Sequence, residues 1–356
     1  MPEKQELRCL IAAGGTAGHV LPALAVAEAL RERGVHVSFA GSPDRVEARL
    51  VPEAGYEFDA FRSAGLPRRA GVALVRSLAT AAQAPATALR ILRRRRPDVV
   101  LGGGGYVSGP MVLAAGLTRT PAALLEADAH LGLANRLAAP FAKRVFLALP
   151  LPGRDGARYT VTGRPVPNRS RAPDKNEARR RFDLPTDGPV LLVLGGSQGA
   201  RRLNELAVER WGAAGPAVLH LCGERDHDAL RDRVTRADYR LLPFTDEIGA
   251  AYGAADLALA RAGGSVWELA AAGLPAVLVP FPHATADHQT KNAQHFEAAG
   301  GAVVVPEPQL DRAPALVEEL LADSERRERM RQAMLEAARP HAADEIAEEL
   351  IALASS

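Results

Sequence analysis

The fold of this chain is decided by residues 7–33, which read LRCLIAAGGTAGHVLPALAVAEALRER. The first part, Leu7–Ala13, is a short apolar run typical of a buried strand. The last part, Pro22–Arg33, places apolar residues at helical spacing, with proline near the first turn. Three glycines lie between these segments. The stretch therefore predicts a strand, a glycine-rich loop and a helix, in that order.

The second half of the chain repeats this plan. Pro189–Leu194 predicts another buried strand, and the loop Gly195–Gly199 and the helical segment Ala200–Trp211 follow it. Short apolar runs alternate with helical segments elsewhere too, with further strands expected at Ala217–Cys222, Asp256–Ala260, Ala276–Val279 and Ala302–Val305. This alternation is typical of open parallel sheets, so we expect an α/β protein of two doubly wound domains.

The domain boundary is expected in the segment Gly163–Pro173. This segment has three prolines and no apolar period, so it can form neither a helix nor a central strand. The division gives an N-terminal domain at 1–164 and a C-terminal domain at 165–340. The last helix, 341–356 in this division, could pack back on the N-terminal domain.

Composition excludes several classes of protein. Of 356 residues, 47% are apolar and 24% are charged, which is typical of a globular protein and excludes a disordered chain. The net charge of +2 is too balanced for a protein that binds nucleic acid over a broad surface. Cys9 and Cys222 lie in apolar runs, which favours buried reduced thiols over a disulfide. No apolar run reaches about 18 residues, so any membrane contact is expected to be peripheral.

Both glycine loops have the chemistry of a phosphate site. A glycine-rich turn between a strand and a helix directs backbone N–H groups and the positive end of the helix dipole towards one point. Neither loop has the dinucleotide pattern Gly-x-Gly-x-x-Gly or the Walker ending Gly-Lys-Ser/Thr. A tight turn also needs glycine for structural reasons alone, so each loop by itself is open to either interpretation.

Four motifs resemble, in this order, those of the MurG family of glycosyltransferases: GGTAGHVLPALAVAE at 14–28, GGGGYVSGP at 102–110, GGSQGAR at 195–201 and ELAAAGLP at 268–275. The resemblance implies a GT-B fold, in which two Rossmann-like domains face a cleft. It also implies an inverting transfer of N-acetylglucosamine from UDP-N-acetylglucosamine (UDP-GlcNAc) to the C4 hydroxyl of MurNAc in lipid I, undecaprenyl-diphospho-MurNAc-pentapeptide. The product would be lipid II for peptidoglycan synthesis, with no cofactor and no protein-bound metal required.

The resemblance assigns the donor mainly to the C-terminal domain. Ser197 and the amides of its loop would meet the diphosphate, and Glu268 would accept hydrogen bonds from the ribose hydroxyls. Gln289 and Asn292 would reach the donor sugar, and Thr245 lies at the place of a uracil contact. The other positions assigned to the donor are Thr16, Ala17, Gly18, Asp128, Arg164, Gly195, Gly196, Gln198, Gly199, Gly264, Ser265, Val266 and Trp267.

His19 is the candidate catalytic base. In an inverting transfer the acceptor hydroxyl attacks the sugar C1 directly, and a base takes the hydroxyl proton. His19 is expected where the first helix begins, and a helix N-terminus disfavours the imidazolium form and keeps the ring able to accept a proton. The alternative is a histidine that only caps or packs the turn.

The acceptor is assigned to the N-terminal domain. Gly103, Gly104 and Gly105, with Tyr106, form a candidate loop for the lipid diphosphate, although a plain glycine turn would have the same sequence. Glu126 and Asn135 match acceptor-side positions of the family.

Three stretches depart from the family pattern. The usual His-Glu-Gln-Asn reads Leu125-Glu-Ala-Asp128, so a charge replaces an amide. The usual Gly-Asn-Pro-Val-Arg reads Gly163-Arg-Pro-Val-Pro167, so either Arg164 or Arg169 could take the place of the missing arginine. The segment Arg261–Glu268 is one residue shorter than the pattern, so which of its residues lines the nucleotide stays open.

One helical segment is a candidate for membrane contact. Apolar residues recur there at helical spacing, namely Val72, Val75, Leu78, Ala79 and Ala82, and the arginines around them are Arg68, Arg69, Arg76, Arg90, Arg93, Arg94, Arg95 and Arg96. The pattern favours a helix on the anionic inner leaflet, and hence a peripheral protein on the cytoplasmic face of the cell membrane. The alternative is a helix packed on the sheet, with a solvated arginine end.

Other functions compete with this one. A GT-B enzyme for another lipid or small acceptor stays open because of the acceptor-side departures. A non-catalytic sugar-nucleotide binding subunit is disfavoured by His19 and Glu268, and a two-domain dehydrogenase by the missing dinucleotide pattern. Asp226-His-Asp228 imitates a metal-binding pair, but we expect it to cap a helix.

Overall fold

A computed structural model of the protein describes residues 6–61, 72–195, 200–284 and 287–355, with the side chains of 72–83 left out. The chain divides into two compact units, Met1–Pro167 together with Pro340–Ser356, and Asn168–Arg339. Each unit has its own parallel β-sheet and its own buried apolar side chains.

The first unit contains the strands β1 (Arg8–Ala12), β2 (His36–Gly41), β3 (Glu57–Ala60), β4 (Val99–Gly102), β5 (Ala122–Glu126), β6 (Arg144–Leu147) and β7 (Tyr159–Val161). They form a seven-stranded sheet in the order β3-β2-β1-β4-β5-β6-β7, and every neighbouring pair is parallel. Cys9 and Ile11 belong to one apolar cluster, and Leu10 and Ala12 to another. Because both faces of β1 are buried, its sequence is a continuous apolar run.

The helices of the first unit are α1 (Ala17–Glu32), α2 (Glu47–Glu53), α3 (Val72–Arg95), α4 (Ser108–Thr118), α5 (Leu133–Ala138) and, from the end of the chain, α14 (Ala342–Ala354). α1 begins earlier than its sequence pattern predicts, so Pro22 lies in its second turn rather than near its start. His19 is consequently in the first turn of α1, close to the carboxyl end of β1.

The second unit contains the strands β8 (Val190–Leu194), β9 (Ala217–Leu221), β10 (Tyr239–Leu242), β11 (Leu257–Ala260), β12 (Ala276–Leu278) and β13 (Ala302–Val304). Their order is β10-β9-β8-β11-β12-β13, again all parallel. The expected strands are confirmed to within one residue at either end. β10 was not predicted, because this half-buried edge strand has only four residues and includes Arg240.

The helices of the second unit pack around this sheet. They are α6 (Lys175–Arg181), α7 (Arg201–Trp211), α8 (Glu224–Leu230), α9 (Ile248–Ala254), α10 (Ser265–Ala271), α11 (His288–Ala298), α12 (Ala313–Ala322) and α13 (Ser324–Ala337). β8 ends at Leu194 and α7 begins at Arg201, and in the first unit β1 ends at Ala12 and α1 begins at Ala17. A short connection thus joins a strand to a helix in both units.

The C-terminal helix α14 is part of the first unit. Ile346, Ala347 and Leu350 are fully buried in the same apolar cluster as β1. Three ion pairs hold the helix at the surface: Arg33 pairs with Asp344 at 2.9 Å and with Glu348 at 3.1 Å, and Arg144 pairs with Glu349 at 3.3 Å. Burial of an apolar helix face drives this packing, and the ion pairs add little because they are exposed.

We expect Ile346→Ala to destabilise the first unit by about 2–4 kcal/mol. The Ile346 side chain is fully buried, so its truncation leaves a cavity in the apolar core. The same substitution at Ile351, which is half-buried on the same helix, is expected to cost less. Urea denaturation with hydrogen exchange of the β1 amides measures both. Equal losses in the two variants would contradict the packing described for α14.

Candidate active site

Two glycine loops meet at the carboxyl ends of β1 and β4. The N–H of Gly14 donates to the carbonyl oxygen of Gly104 at 3.3 Å. A Cβ atom on Gly105, whose φ is +77°, would lie 2.1 Å from the carbonyl oxygen of Gly14, so no other residue fits there. Two loops predicted separately therefore form one backbone surface, at the edge of the sheet where open α/β folds bind ligands.

His19 lies against this surface. A Cβ atom on Gly104 would lie 2.6 Å from Nδ1 of His19, so the absence of a side chain at Gly104 makes room for the imidazole. Burial lowers the pKa of His19; Asp128 and Glu47 oppose this effect, and Arg164 and His130 add to it. The imidazole is therefore held in its neutral form near pH 7, as a proton acceptor must be.

Glu47 holds the first glycine loop from inside the unit. Its side chain is fully buried, with Oε2 accepting from the N–H of Gly15 at 3.0 Å and Oε1 from the N–H of Ser42 at 2.9 Å. A Cβ on Gly14 would collide with this carboxylate, and one on Gly41 would collide with Cγ of the same side chain. Sequence analysis missed Glu47, because an acidic residue in the first turn of a helix is ordinarily solvated and belongs to no motif.

Arg164 and Asp128 also lie at the first loop. Arg164 is buried, and its guanidinium donates through Nη2 to the carbonyl of Gly18 at 2.7 Å and through Nη1 to that of Ala127 at 2.5 Å. Oδ1 of Asp128 is 3.6 Å from Nη1. Two N–H groups of Arg164 thus donate to backbone carbonyls within the protein. A contact of Arg164 or Arg169 with the sugar nucleotide stays a prediction.

Glu126 and Asn135 form a buried network. Oε2 of Glu126 accepts from the N–H of Gly132 at 2.8 Å and from Nδ2 of Asn135 at 3.0 Å, and Oε1 accepts from the N–H of Asp128 at 3.2 Å. The hydroxyl of Ser108 donates to Oδ1 of Asn135 at 3.1 Å. Glu126 and Asn135, which were predicted to bind the acceptor substrate, therefore shape the loop after β5 from inside the protein. Tyr106, on the neighbouring loop, is 60% exposed.

Glu268, the predicted ribose ligand, is oriented by two hydroxyls. Tyr252 donates to its Oε2 at 2.9 Å and Ser170 donates to the same oxygen at 3.0 Å. Within the described ranges no hydrogen bond to Oε1 is found. Sequence analysis missed Ser170 and Tyr252, which lie in a short 3-10 helix and in α9, outside the motifs.

The other predicted donor residues of the second unit differ in accessibility. Gly264 and Ser265 are half-buried at the start of α10, but Val266 and Trp267 are buried, and the Trp267 ring stacks on His295 at 5.5 Å. Nε1 of Trp267 has no hydrogen-bond partner in the described part of the chain, and the nucleotide contacts of Val266 and Trp267 stay a prediction. Gly195 is half-buried, and the predicted Gly196, Ser197, Gln198 and Gly199 lie outside the described residues.

Gln289 and Asn292 lie on α11 with different partners. Oε1 of Gln289 accepts from the N–H of Phe281 at 2.9 Å, and Nδ2 of Asn292 donates to the carbonyl of Ala262 at 3.1 Å. Oδ1 of Asn292 is buried and has no hydrogen-bond partner in the described part of the chain. Thr245 is half-buried and accepts from the N–H of Glu247 at 3.1 Å.

The Asp226-His227-Asp228 segment is not a gathered set of ligands. Asp226 is buried and accepts from Nδ2 of Asn204 at 2.9 Å, whereas the side chain of Asp228 is 92% exposed. The described residues contain no group of three or more His, Cys, Asp or Glu side chains placed to hold a metal ion.

Comparisons with known proteins cover nearly the whole chain. Residues 9–147 match the glycosyltransferase family 28 N-terminal domain, and residues 190–350 match the glycosyltransferase family 28 C-terminal domain. A Salinibacter ruber protein named UDP-N-acetylglucosamine--N-acetylmuramyl-(pentapeptide) pyrophosphoryl-undecaprenol N-acetylglucosamine transferase is 41% identical over 97% of this chain and 96% of its own length. The protein of the same name from Acidithiobacillus ferrooxidans is 44% identical over 95% of each chain.

Solved structures agree. The crystal structure of Acinetobacter baumannii MurG is 28% identical, has a TM-score of 0.73, and covers 97% of this chain and 99% of its own. The calicheamicin glycosyltransferase CalG4 is only 19% identical, with a TM-score of 0.68 over 98% of this chain and 99% of its own, so it shows a shared fold alone.

Glu126 predicts a specific pH dependence of stability. Burial raises its pKa from 4.5 to about 7, so the folded protein binds this proton more tightly than the unfolded chain does. The resulting stabilisation is fully present below pH 4.5 and is lost as the pH rises through about 7. Relative to Glu126→Gln, which cannot titrate, the wild-type free energy of unfolding should fall by about 2–3 kcal/mol from pH 5 to pH 8.

Urea denaturation of both proteins at the two pH values measures this difference, with Asp155→Asn as a control that removes an exposed carboxylate of the same unit. A gap between wild type and Glu126→Gln that is the same at both pH values would show that the carboxyl group keeps an ordinary pKa.

Proposed function

Because this chain belongs to the MurG family of glycosyltransferases and transfers N-acetylglucosamine from UDP-GlcNAc to lipid I, forming lipid II, we propose that its two units divide the substrates between them. The first unit holds the acceptor and supplies the base, and the second unit binds the sugar nucleotide. The observation that carries this proposal is the position of His19, whose half-buried imidazole lies against Gly104 and has a lowered pKa.

His19 acts as the general base in this proposal. The C4 hydroxyl oxygen of MurNAc forms a bond to C1 of N-acetylglucosamine while the bond from C1 to the diphosphate breaks. The hydroxyl proton passes to the imidazole, and UDP leaves with the electron pair of the broken bond. The absence of a side chain at Gly104 leaves room on the Nδ1 side of the ring. We assign Nε2 as the nitrogen that accepts the hydroxyl proton.

Glu268 binds the ribose in this proposal. Because Ser170 and Tyr252 fix its Oε2, the carboxylate is already oriented when the nucleotide arrives, and binding does not have to restrict it. The buried Oδ1 of Asn292 is an acceptor that a donor-sugar hydroxyl or amide N–H would satisfy. We also assign to the diphosphate the backbone N–H groups of Gly264 and Ser265 and those of the predicted loop Gly195–Gly199, of which residues 196–199 lie outside the described residues.

The first unit also associates with the anionic inner leaflet on the cytoplasmic face of the membrane in this proposal. Four large apolar side chains are exposed on α4, α5 and the 3-10 helix that follows: Leu117, Leu133, Leu137 and Phe141. Basic residues in these segments or just after them are also exposed, namely Arg119, Arg136 and Lys143. Such an apolar patch with basic neighbours fits an anionic lipid surface. We call these seven residues the apolar-basic patch.

One helix of the apolar-basic patch, α4, neighbours α3, a segment that the sequence singled out. α3 packs beside α4, and Phe141 lies 3.5 Å from the position that a Cβ on Gly116 would occupy. The predicted side chains Val72–Ala82 of α3 lie outside the described side chains. No helix within the described ranges has the apolar length to cross a bilayer.

Release of UDP from UDP-GlcNAc, with and without a short-chain lipid I analogue, tests the catalytic assignment. We expect His19→Ala to lower kcat by about 10²–10⁴ and to leave the Kd of UDP-GlcNAc unchanged, because general-base catalysis contributes a factor of this size. His36→Ala, which removes an exposed histidine of β2, is the matched control and should keep wild-type activity. Full acceptor-dependent release by His19→Ala would refute the role of His19 as base.

Sedimentation with vesicles tests the membrane assignment. We expect Leu133→Ser with Leu137→Ser to weaken binding to phosphatidylglycerol vesicles by at least about tenfold, because each leucine loses apolar burial in the bilayer interface. Phe244→Ser, which removes a similarly exposed apolar side chain of the second unit, should bind as wild type does. Unchanged binding by the double variant would place the membrane contact elsewhere.

A further inference from the structure

Pro22 leaves a gap in the hydrogen bonding of α1. In a helix the carbonyl of residue 18 accepts from the N–H of residue 22, but proline has no N–H. The carbonyl of Gly18 instead accepts from Nη2 of Arg164 at 2.7 Å. A side chain 146 residues away thus replaces a missing backbone donor, at the peptide unit that joins Gly18 to His19.

The same guanidinium reaches a second loop. Nη1 of Arg164 donates to the carbonyl of Ala127, so the first turn of α1 is tied to the loop after β5. Two carbonyls in different directions require a planar group with several fixed N–H donors. Lysine carries the same charge but concentrates it on one ammonium group, so it cannot reproduce this geometry.

A buried guanidinium beside a proton acceptor needs a compensating charge. Arg164 is 5% exposed, and its positive charge disfavours protonation of His19. Asp128 supplies the opposite charge 3.6 Å from Nη1. The other charged or titratable groups that act on His19 are Glu47, behind the glycine loop, and His130, on the same loop as Asp128.

We propose that Arg164 and Asp128 form one positioning pair for His19, in which Arg164 fixes the peptide that carries the histidine and Asp128 balances the guanidinium charge. The proposal rests on the role of His19 given above. It also joins two departures from the family pattern, an acid in place of an amide and an arginine in place of an asparagine, into a single coupled change. In this assignment neither side chain has to contact UDP-GlcNAc.

The acid limb of the pH profile of kcat/KM tests the pair, because it reports the protonation of the base in the free enzyme. Asp128→Asn removes a carboxylate that favours the imidazolium, so the limb should move to lower pH by about 0.5–1 unit. Arg164→Gln removes a cation that disfavours the imidazolium, so the limb should move to higher pH by a similar amount. A merely structural role would lower rates without opposite shifts.

Two further variants separate charge from geometry. Arg164→Lys keeps the charge but loses the two-carbonyl contact, so we expect an unmoved limb with kcat lowered about tenfold or more. In Asp128→Asn with Arg164→Gln the two shifts should cancel, while kcat stays low. Asp155→Asn is the matched control and should leave both the limb and kcat unchanged. Circular dichroism and UDP-GlcNAc affinity report whether each variant is folded.

The outcomes separate the two proposals. If His19→Ala retains acceptor-dependent transfer, the assignment of the base fails, whatever the other variants do. If His19→Ala is inactive but the single variants leave the acid limb in place, or shift it in the same direction, the positioning pair is refuted while the base stands. Opposite shifts that cancel in the double variant would support the pair.

Discussion

The structure of the first unit depends on the contact between two backbone loops. The N–H of Gly14 meets the carbonyl of Gly104, and Gly105 approaches Gly14 more closely than any side chain would allow. The position of His19, the room for its ring and the shape of the loop edge all follow from this contact. Position 105 requires glycine because the loops approach closely there and because its φ is positive. One added methyl group would separate the loops.

Much of the fold follows from local sequence. Buried parallel strands are continuous apolar runs, so β1 and β8 could be placed to within one residue. The start of α1 could not, because proline ordinarily lies in the first turn of a helix and Pro22 does not. What permits the exception is Arg164, which is distant in sequence and supplies the missing donor. A local sequence pattern contains no information about a partner so distant in the chain.

Some residues of the candidate site could likewise be identified from the sequence, and others could not. Glycine loops, His19 and Glu268 belong to motifs and could be named from sequence. Three supporting residues could not be named in this way, because they act from inside the protein. Glu47 accepts from the backbone N–H of Gly15, and Ser170 and Tyr252 donate to the carboxylate of Glu268. The burial of Trp267 could not be predicted from its motif either, because adjacent residues on a helix point in different directions, and its ring stacks on His295 in the interior.

The position of α14 has a consequence for the order in which the chain folds. Residues 342–354 complete the apolar core around β1, yet they are synthesised after the whole of the second unit. As the chain leaves the ribosome, Asn168–Arg339 can form its own apolar core while the first unit still lacks α14. The part of the protein that carries His19 is therefore the last to reach its final packing, although it is the first to be made.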